Sequence, residues 1–209
     1  SFLNFYPRYS IITSVEAEHL DFFKDLADVR NSFCAFASNT ASDGAVIING
    51  EIADYQDITA ELDCNVITYG LCENCDYYAQ NITFNQKACA SFTALYRGSE
   101  IGTFTLSVPG MHNVANALAS IALCLKLDIS TDDIKRGLLA FGGTHRRFEY
   151  KGCKNGITVI DDYAHHPTEV EATLSAAKNY PHGRLVVAFQ PHTYSRTNAF
   201  YKDFARVLS

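Results

Sequence analysis

No apolar run in the 209 residues is long enough to cross a bilayer, so no stable membrane insertion is expected. Basic residues do not predominate either. The 17 Lys and Arg against 23 Asp and Glu leave a formal charge of -6, which gives no general attraction to a polyanion, and nucleic acid is not an expected partner. A disulfide framework is also missing: seven cysteines, an odd number without small-domain spacing, fit a reducing compartment, and a cytoplasmic location is expected. Cys72-Glu73-Asn74-Cys75 has the two-residue gap of a metal or redox pair, with Cys64 and Cys89 nearby. No second close pair completes a zinc set and no helix follows the first cysteine, so ordinary loop thiols are expected. Ser1-Phe2-Leu3-Asn4-Phe5 lacks the basic region and sustained apolar core of a signal peptide. Residues 203–209 end inside a helical pattern, and both ends read as cut from a longer protein.

The chemistry is concentrated in one stretch. Ile157-Thr158-Val159-Ile160 reads as a short buried strand that ends abruptly in Asp161-Asp162-Tyr163-Ala164-His165-His166, after which Pro167 permits a helix with Glu169 and Glu171 in its first turns. Ionisable groups where a strand hands over to a helix are the usual contents of an α/β active-site rim. Asp-Asp can also simply solvate a turn, but so dense a cluster points to chemistry.

Length and a hydrophobic fraction of 47% suffice for one large domain or two small ones. A strand over 9–15 leads into Glu16-Ala17-Glu18-His19-Leu20-Asp21, and residues 22–36 show helical spacing. After a short apolar run at 45–48, Asn49-Gly50 fits either a hairpin or the entry to a helix. Four aromatic and β-branched segments between 65 and 108 read as strands joined by tight turns, partly antiparallel. Pro109-Gly110 ends them, and 113–127 reads as an alanine-rich helix carrying Asn113 and Asn116 on one side of its first turn. Those amides suit either capping or the reading of a planar ring such as adenine. Ser130 starts the next helix, and Phe141-Gly142-Gly143 marks the expected boundary between domains at 1–142 and 143–209. Just beyond it, Arg146-Arg147 suits phosphate oxygens or an interdomain ion pair equally. The second region alternates strand and helix, with a further buried strand expected at 184–189 and His192 and Arg196 beyond its exit.

Taken together and in order, Glu16 to Asp21, Gly110 to Leu118, Gly143-Thr144-His145-Arg146-Arg147-Phe148-Glu149, residues 161–169 and Phe189 to Thr197 resemble the Mur ligases, within them the alanine-adding branch more than the branch that recycles murein tripeptide. Glu18, Thr193 and Ser195 depart from that pattern, where Asp, Arg and Thr are usual. The resemblance implies an α/β fold: a central ATPase-type domain with a mixed sheet over 1–142, followed by part of a Rossmann-like domain over 143–209. The family's glycine-rich lysine loop does not occur in these residues, so the piece alone is expected to be inactive.

What the resemblance implies for the whole protein is ATP-dependent joining of L-alanine to UDP-N-acetylmuramate through an acyl phosphate. By the same resemblance His19 would bind Mg2+; Asn113 and Asn116 would read adenine; Arg147 would lie near the ATP phosphates and Asp162 near the ribose or phosphate end. His165 and Arg196 would position alanine and the transferring group, His165 by orienting the amine or helping remove its proton. Failure of these positions to converge would leave a nucleotide-binding piece without catalysis, or a structural fragment.

Overall fold

The computed structural model describes residues 2–17 and 22–209. Six strands form one sheet in sequence order: β1 (Tyr9–Ile12), β2 (Ala45–Asn49), β3 (Asn65–Gly70), β4 (Tyr77–Phe84), β5 (Cys89–Tyr96) and β6 (Ser99–Pro109). The first four run parallel, and β5 runs against them between β4 and β6, pairing antiparallel with both, which makes the sheet mixed as expected. Because β2 pairs in parallel with both β1 and β3, Asn49-Gly50 closes no hairpin; it leads out toward a short helix, α2 (Tyr55–Thr59).

Helices cover both faces of this sheet. On one, α1 (Leu26–Ser38) and α2 pack over Ile12, Val46 and Ile48; on the other, α3 (Met111–Lys126) and α4 (Thr131–Ala140) pack over Ile47, Tyr69, Phe92 and Phe104. The alternation Val46, Ile47, Ile48 sends successive side chains to opposite cores, which is why β2 is apolar throughout rather than at every second residue. Helix starts follow their capping residues: Asp25 accepts from Asp28 N at 2.9 Å and Ser130 from Asp133 N at 3.2 Å.

A second sheet holds only β7 (Glu149–Lys154) and β8 (Ile157–Asp161), an antiparallel hairpin turned by Asn155-Gly156 with both residues at positive φ. Three helices follow: α5 (Pro167–Lys178), α6 (Tyr194–Ala199) and α7 (Tyr201–Leu208). Two expectations are corrected here. Residues 184–189 form no strand, with Leu185, Val186 and Val187 exposed, and β8 is an exposed strand rather than a buried one, Ile157 and Val159 being 67% and 54% accessible. An apolar β-branched run becomes a buried strand only where neighbouring strands take its hydrogen bonds and helices cover its face; here β8 has β7 alone, and 184–189 has no ladder partner among the described residues.

Cys72 and Cys75 stand in the loop between β3 and β4 with their sulfurs 3.5 Å apart, as free thiols. Burial pushes the Cys75 thiol up to about 12, which keeps it protonated and unreactive at neutral pH. Nearby, Asp76 locks β3 to β4: its carboxylate accepts from Thr68 N at 2.9 Å, Thr68 Oγ1 at 3.1 Å and Arg97 Nε at 2.7 Å. Burial alone would raise this carboxyl, but the Thr68 N–H, the Arg97 guanidinium and the Thr68 hydroxyl outweigh it and hold it below its ordinary 3.8. The stabilisation is therefore complete above the unfolded pKa and fades as pH falls through the lower folded value. Asp76→Asn is expected to cost about 1 kcal/mol near neutrality, reduced by partial exposure, and urea unfolding should show the gap from wild type closing below about pH 4.

Candidate functional site

The end of β6 and the start of α3 set one wall of the site. Gly110, between them, has φ of +98°, and a Cβ there would lie 2.7 Å from the His112 ring and 3.2 Å from Ala176 of α5. Only glycine fits both the left-handed backbone and the close approach of α5. The turn it permits places Asn113 in the first turn of α3, donating from Nδ2 to Pro109 O at 2.7 Å while its Oδ1 accepts from Asn116 Nδ2 at 3.3 Å. The two amides do share one side of the helix, and Asn113 ties that turn back to the Pro109 carbonyl, while the start of α3 has no side-chain cap.

The opposite wall comes from residues 144–148 and from the loop between β8 and α5. Arg146 and Phe148 both take positive φ, 57° and 47°, a strained state for such side chains. Backbone bonds hold them: Arg146 O accepts from Tyr163 N at 2.7 Å, and Phe148 N donates to Asp162 Oδ2 at 2.8 Å, while Asp162 Oδ1 accepts from Ala164 N at 2.7 Å. The arginine pair is thereby divided. Arg146 turns its guanidinium over the Tyr163 ring at 4.6 Å and toward Asp161 at 3.7 Å, whereas Arg147 reaches Glu169 at 3.3 Å.

Between these walls lies a cleft of roughly 780 Å3, whose lining includes Asn113, Asn116, Arg147 and Asp162 together. That volume lies in the ordinary range for small-molecule sites. A neighbouring cleft of roughly 880 Å3 takes in Lys87, His145 and Tyr150, but of the four named residues only Arg147 reaches it. His165 and Arg196 line neither. The His165 ring packs on Tyr163 at 4.9 Å, with Nδ1 2.7 Å from Tyr163 O and 3.3 Å from Glu169, and Arg196, on α6, donates to His192 O at 2.6 Å. His19 and Glu18 lie outside the described residues, and among the described residues no group of three or more His, Cys, Asp or Glu is placed to hold a metal ion.

Three residues of this cleft had no site role in the sequence pattern, although that pattern places Glu169 in the first turn of a helix. His112 stands between the walls, where burial lowers its pKa, Asp162 raises it and Arg147 lowers it further. Glu16 lines the cleft from the β1 side and accepts from Thr168 Oγ1 at 2.8 Å. Glu169 accepts from His165 N at 2.9 Å and His166 N at 3.3 Å; a Glu at the third helical position was a readable capping signal.

The model of the Mur ligase middle domain matches residues 1–124, and that of the Mur ligase glutamate ligase domain matches 146–209. The chain belongs to the Mur ligase family. Among curated relatives, a UDP-N-acetylmuramate–L-alanine ligase of Agathobacter rectalis is 62% identical over 209 residues, covering all of this Mur ligase chain and 46% of the relative. Among solved structures, the UDP-N-acetylmuramate-alanine ligase of Thermotoga maritima superposes with a TM-score of 0.79 at 31% identity, over 99% of this chain and 45% of the other. A murein peptide ligase of Psychrobacter arcticus superposes at 0.62 with 26% identity, over 90% and 41%. The chain thus spans about half the length of the relatives it matches.

Gly110→Ala is expected to destabilise this Mur ligase fold by about 1–3 kcal/mol through strained φ and overpacking. Gly137→Ala, in the interior of α4 with open space around it, should instead be neutral or stabilising by up to about 1 kcal/mol. Thermal unfolding of the two variants separates the predictions by sign.

Proposed function

We propose that the whole protein is a cytoplasmic ATP-dependent ligase that joins L-alanine to UDP-N-acetylmuramate. The observation that carries this is the convergence of Asn113, Asn116, Arg147 and Asp162 on one cleft, in a chain 62% identical along its whole length to a protein named for that reaction. The recycling of murein tripeptide is the second reading, supported by the more distant likeness to a murein peptide ligase.

In this reading the lactyl carboxylate of the sugar nucleotide takes the terminal phosphoryl group of ATP, giving an acyl phosphate and ADP. The amine of alanine then attacks the acyl carbon, and phosphate leaves with the C–O electron pair as the amine gives up its proton. Asn116, and Asn113 where its bonds to Pro109 and Asn116 allow, present amides to the edge of the base. Arg147 turns toward the phosphates, exchanging part of its interaction with Glu169 for a bidentate phosphate contact. Asp162 holds the Arg147–Phe148 backbone and borders the ribose end. His165 orients the amine, and Arg196 reaches the alanine carboxylate only if the α6 segment moves toward the cleft, a closure that would also exclude water from the acyl phosphate. The division at Gly142-Gly143 is the hinge for that movement.

Glu51 gives the cleft wall a hard oxygen donor, which suits Mg2+; His19 would complete the set with phosphate oxygens. When bound, the ion neutralises phosphate charge and polarises the transferred group.

ADP release by the full-length protein with ATP, Mg2+ and UDP-N-acetylmuramate tests this, comparing L-alanine, glycine, L-serine and a murein tripeptide. L-alanine should give the highest kcat/KM. Turnover with the tripeptide alone would move the protein to the recycling branch, and none with any acceptor would overturn the ligase reading. Asn116→Ala should raise KM for ATP by roughly tenfold with a smaller change in kcat.

A further inference from the structure

Glu16 sits at the exit from β1, yet its carboxylate is bound to the first turn of α5, 152 residues away. Oε2 accepts from Thr168 Oγ1 at 2.8 Å and lies 3.2 Å from His166 Nδ1. The His166 ring is 7% exposed, stands edge-on to Phe200 at 4.8 Å, and its Nε2 is buried without a hydrogen-bond partner. Nδ1 is therefore the ring's polar attachment; it faces Glu16 and also meets the backbone N–H of Glu169 in the capping box of α5. The bond from His166 lowers the Glu16 pKa, burial opposes this, and the Thr168 hydroxyl lowers it again, as expected of a carboxylate held ionised by its neighbours.

The turn that Glu16 grips is the one that organises the histidine loop. Within it, Glu169 takes the N–H groups of His165 and His166 and also holds Arg147. A displacement of Thr168 and His166 is thus transmitted through three residues of helix to both the amine-orienting histidine and the phosphate-facing arginine.

We propose that Glu16 is a positioning residue for the ligase reaction: by clasping Thr168 and His166 it docks the first turn of α5 on the six-stranded unit and sets His165 and Arg147 for transfer. This rests on the ligase reading above. Glu16 touches no reacting atom; it acts through α5. Loss of its carboxylate removes the group that ties the His166 ring and the Thr168 hydroxyl to the β1 side, which loosens the docking of the turn.

The test uses the full-length protein with Glu16→Ala, Glu16→Gln, Thr168→Val and the Glu16→Ala/Thr168→Val pair. Glu16→Ala should lower kcat by about tenfold to a hundredfold, with KM for ATP changing less than about threefold. Glu16→Gln, which retains a partner for Thr168, should fall between it and wild type. The double variant should be no worse than Glu16→Ala, because the two residues act as one unit. Hydrogen exchange, read independently of activity, should quicken at 161–169 in Glu16→Ala while the strands of the first sheet keep their protection. Wild-type exchange at 161–169 in Glu16→Ala, unchanged kcat, or effects that multiply in the double variant would overturn the proposal. If wild-type protein releases no ADP with any acceptor, the ligase reading fails, and the exchange result still decides whether Glu16 docks α5.

Discussion

The Glu169 carboxylate is the interaction on which the candidate site depends. It accepts two consecutive backbone N–H groups, from His165 and His166, at the point where the chain enters α5, and it pairs with Arg147 from the segment before β7. Burial would raise its pKa, but those N–H bonds, the charge of His165 and the Arg147 contact win, so the group is held charged. An ionised carboxylate at a helix N-terminus also meets the favourable end of the helix dipole. One side chain thus caps a helix, aims a histidine and restrains an arginine.

The remainder of the site follows from two backbone devices. With positive φ at Arg146 and Phe148, Arg147 lines the cleft and pairs with Glu169 while Arg146 reaches Asp161, and Asp162 holds that shape by accepting from Phe148 and Ala164. Across the cleft, Gly110 allows α3 to begin close against α5, which brings Asn113 and Asn116 to face Arg147. The six-stranded sheet contributes rigidity: β2 is buried on both faces, and the cleft opens where β1 and β2 end. Neither wall is a complete site by itself, and the proposed reaction between two anionic substrates would use both.

The mixed sheet and its flanking helices were readable because their signals are local: alternating or β-branched runs, Ser130 as a cap, Pro109-Gly110 as a break. The convergence of Asn113, Asn116, Arg147 and Asp162 was readable only through resemblance, since amide spacing alone fits capping as well as base reading, and in the fold Asn113 spends its amide N–H on the Pro109 carbonyl. Residues 184–189 show the converse: an apolar β-branched run carries the pattern of a strand, but the ladder that makes a strand is a property of its neighbours. Glu16 was hidden for a related reason, because nothing at position 16 announces a hydrogen bond to position 168. The left-handed turns at Arg146 and Phe148 were hidden too, as neither residue type favours that conformation and the bonds to Glu149, Asp162 and Tyr163 that stabilise it are made in the fold.

The most direct measurement is a crystal structure of the full-length protein with a non-hydrolysable ATP analogue. The account predicts the base against Asn116 and the start of α3, with the phosphate chain beside Arg147, so that one nucleotide contacts both walls of the same cleft. A nucleotide lodged in the neighbouring cleft beside Lys87, or one that touches residues 2–142 and leaves Arg147 and Asp162 without contact, would contradict it.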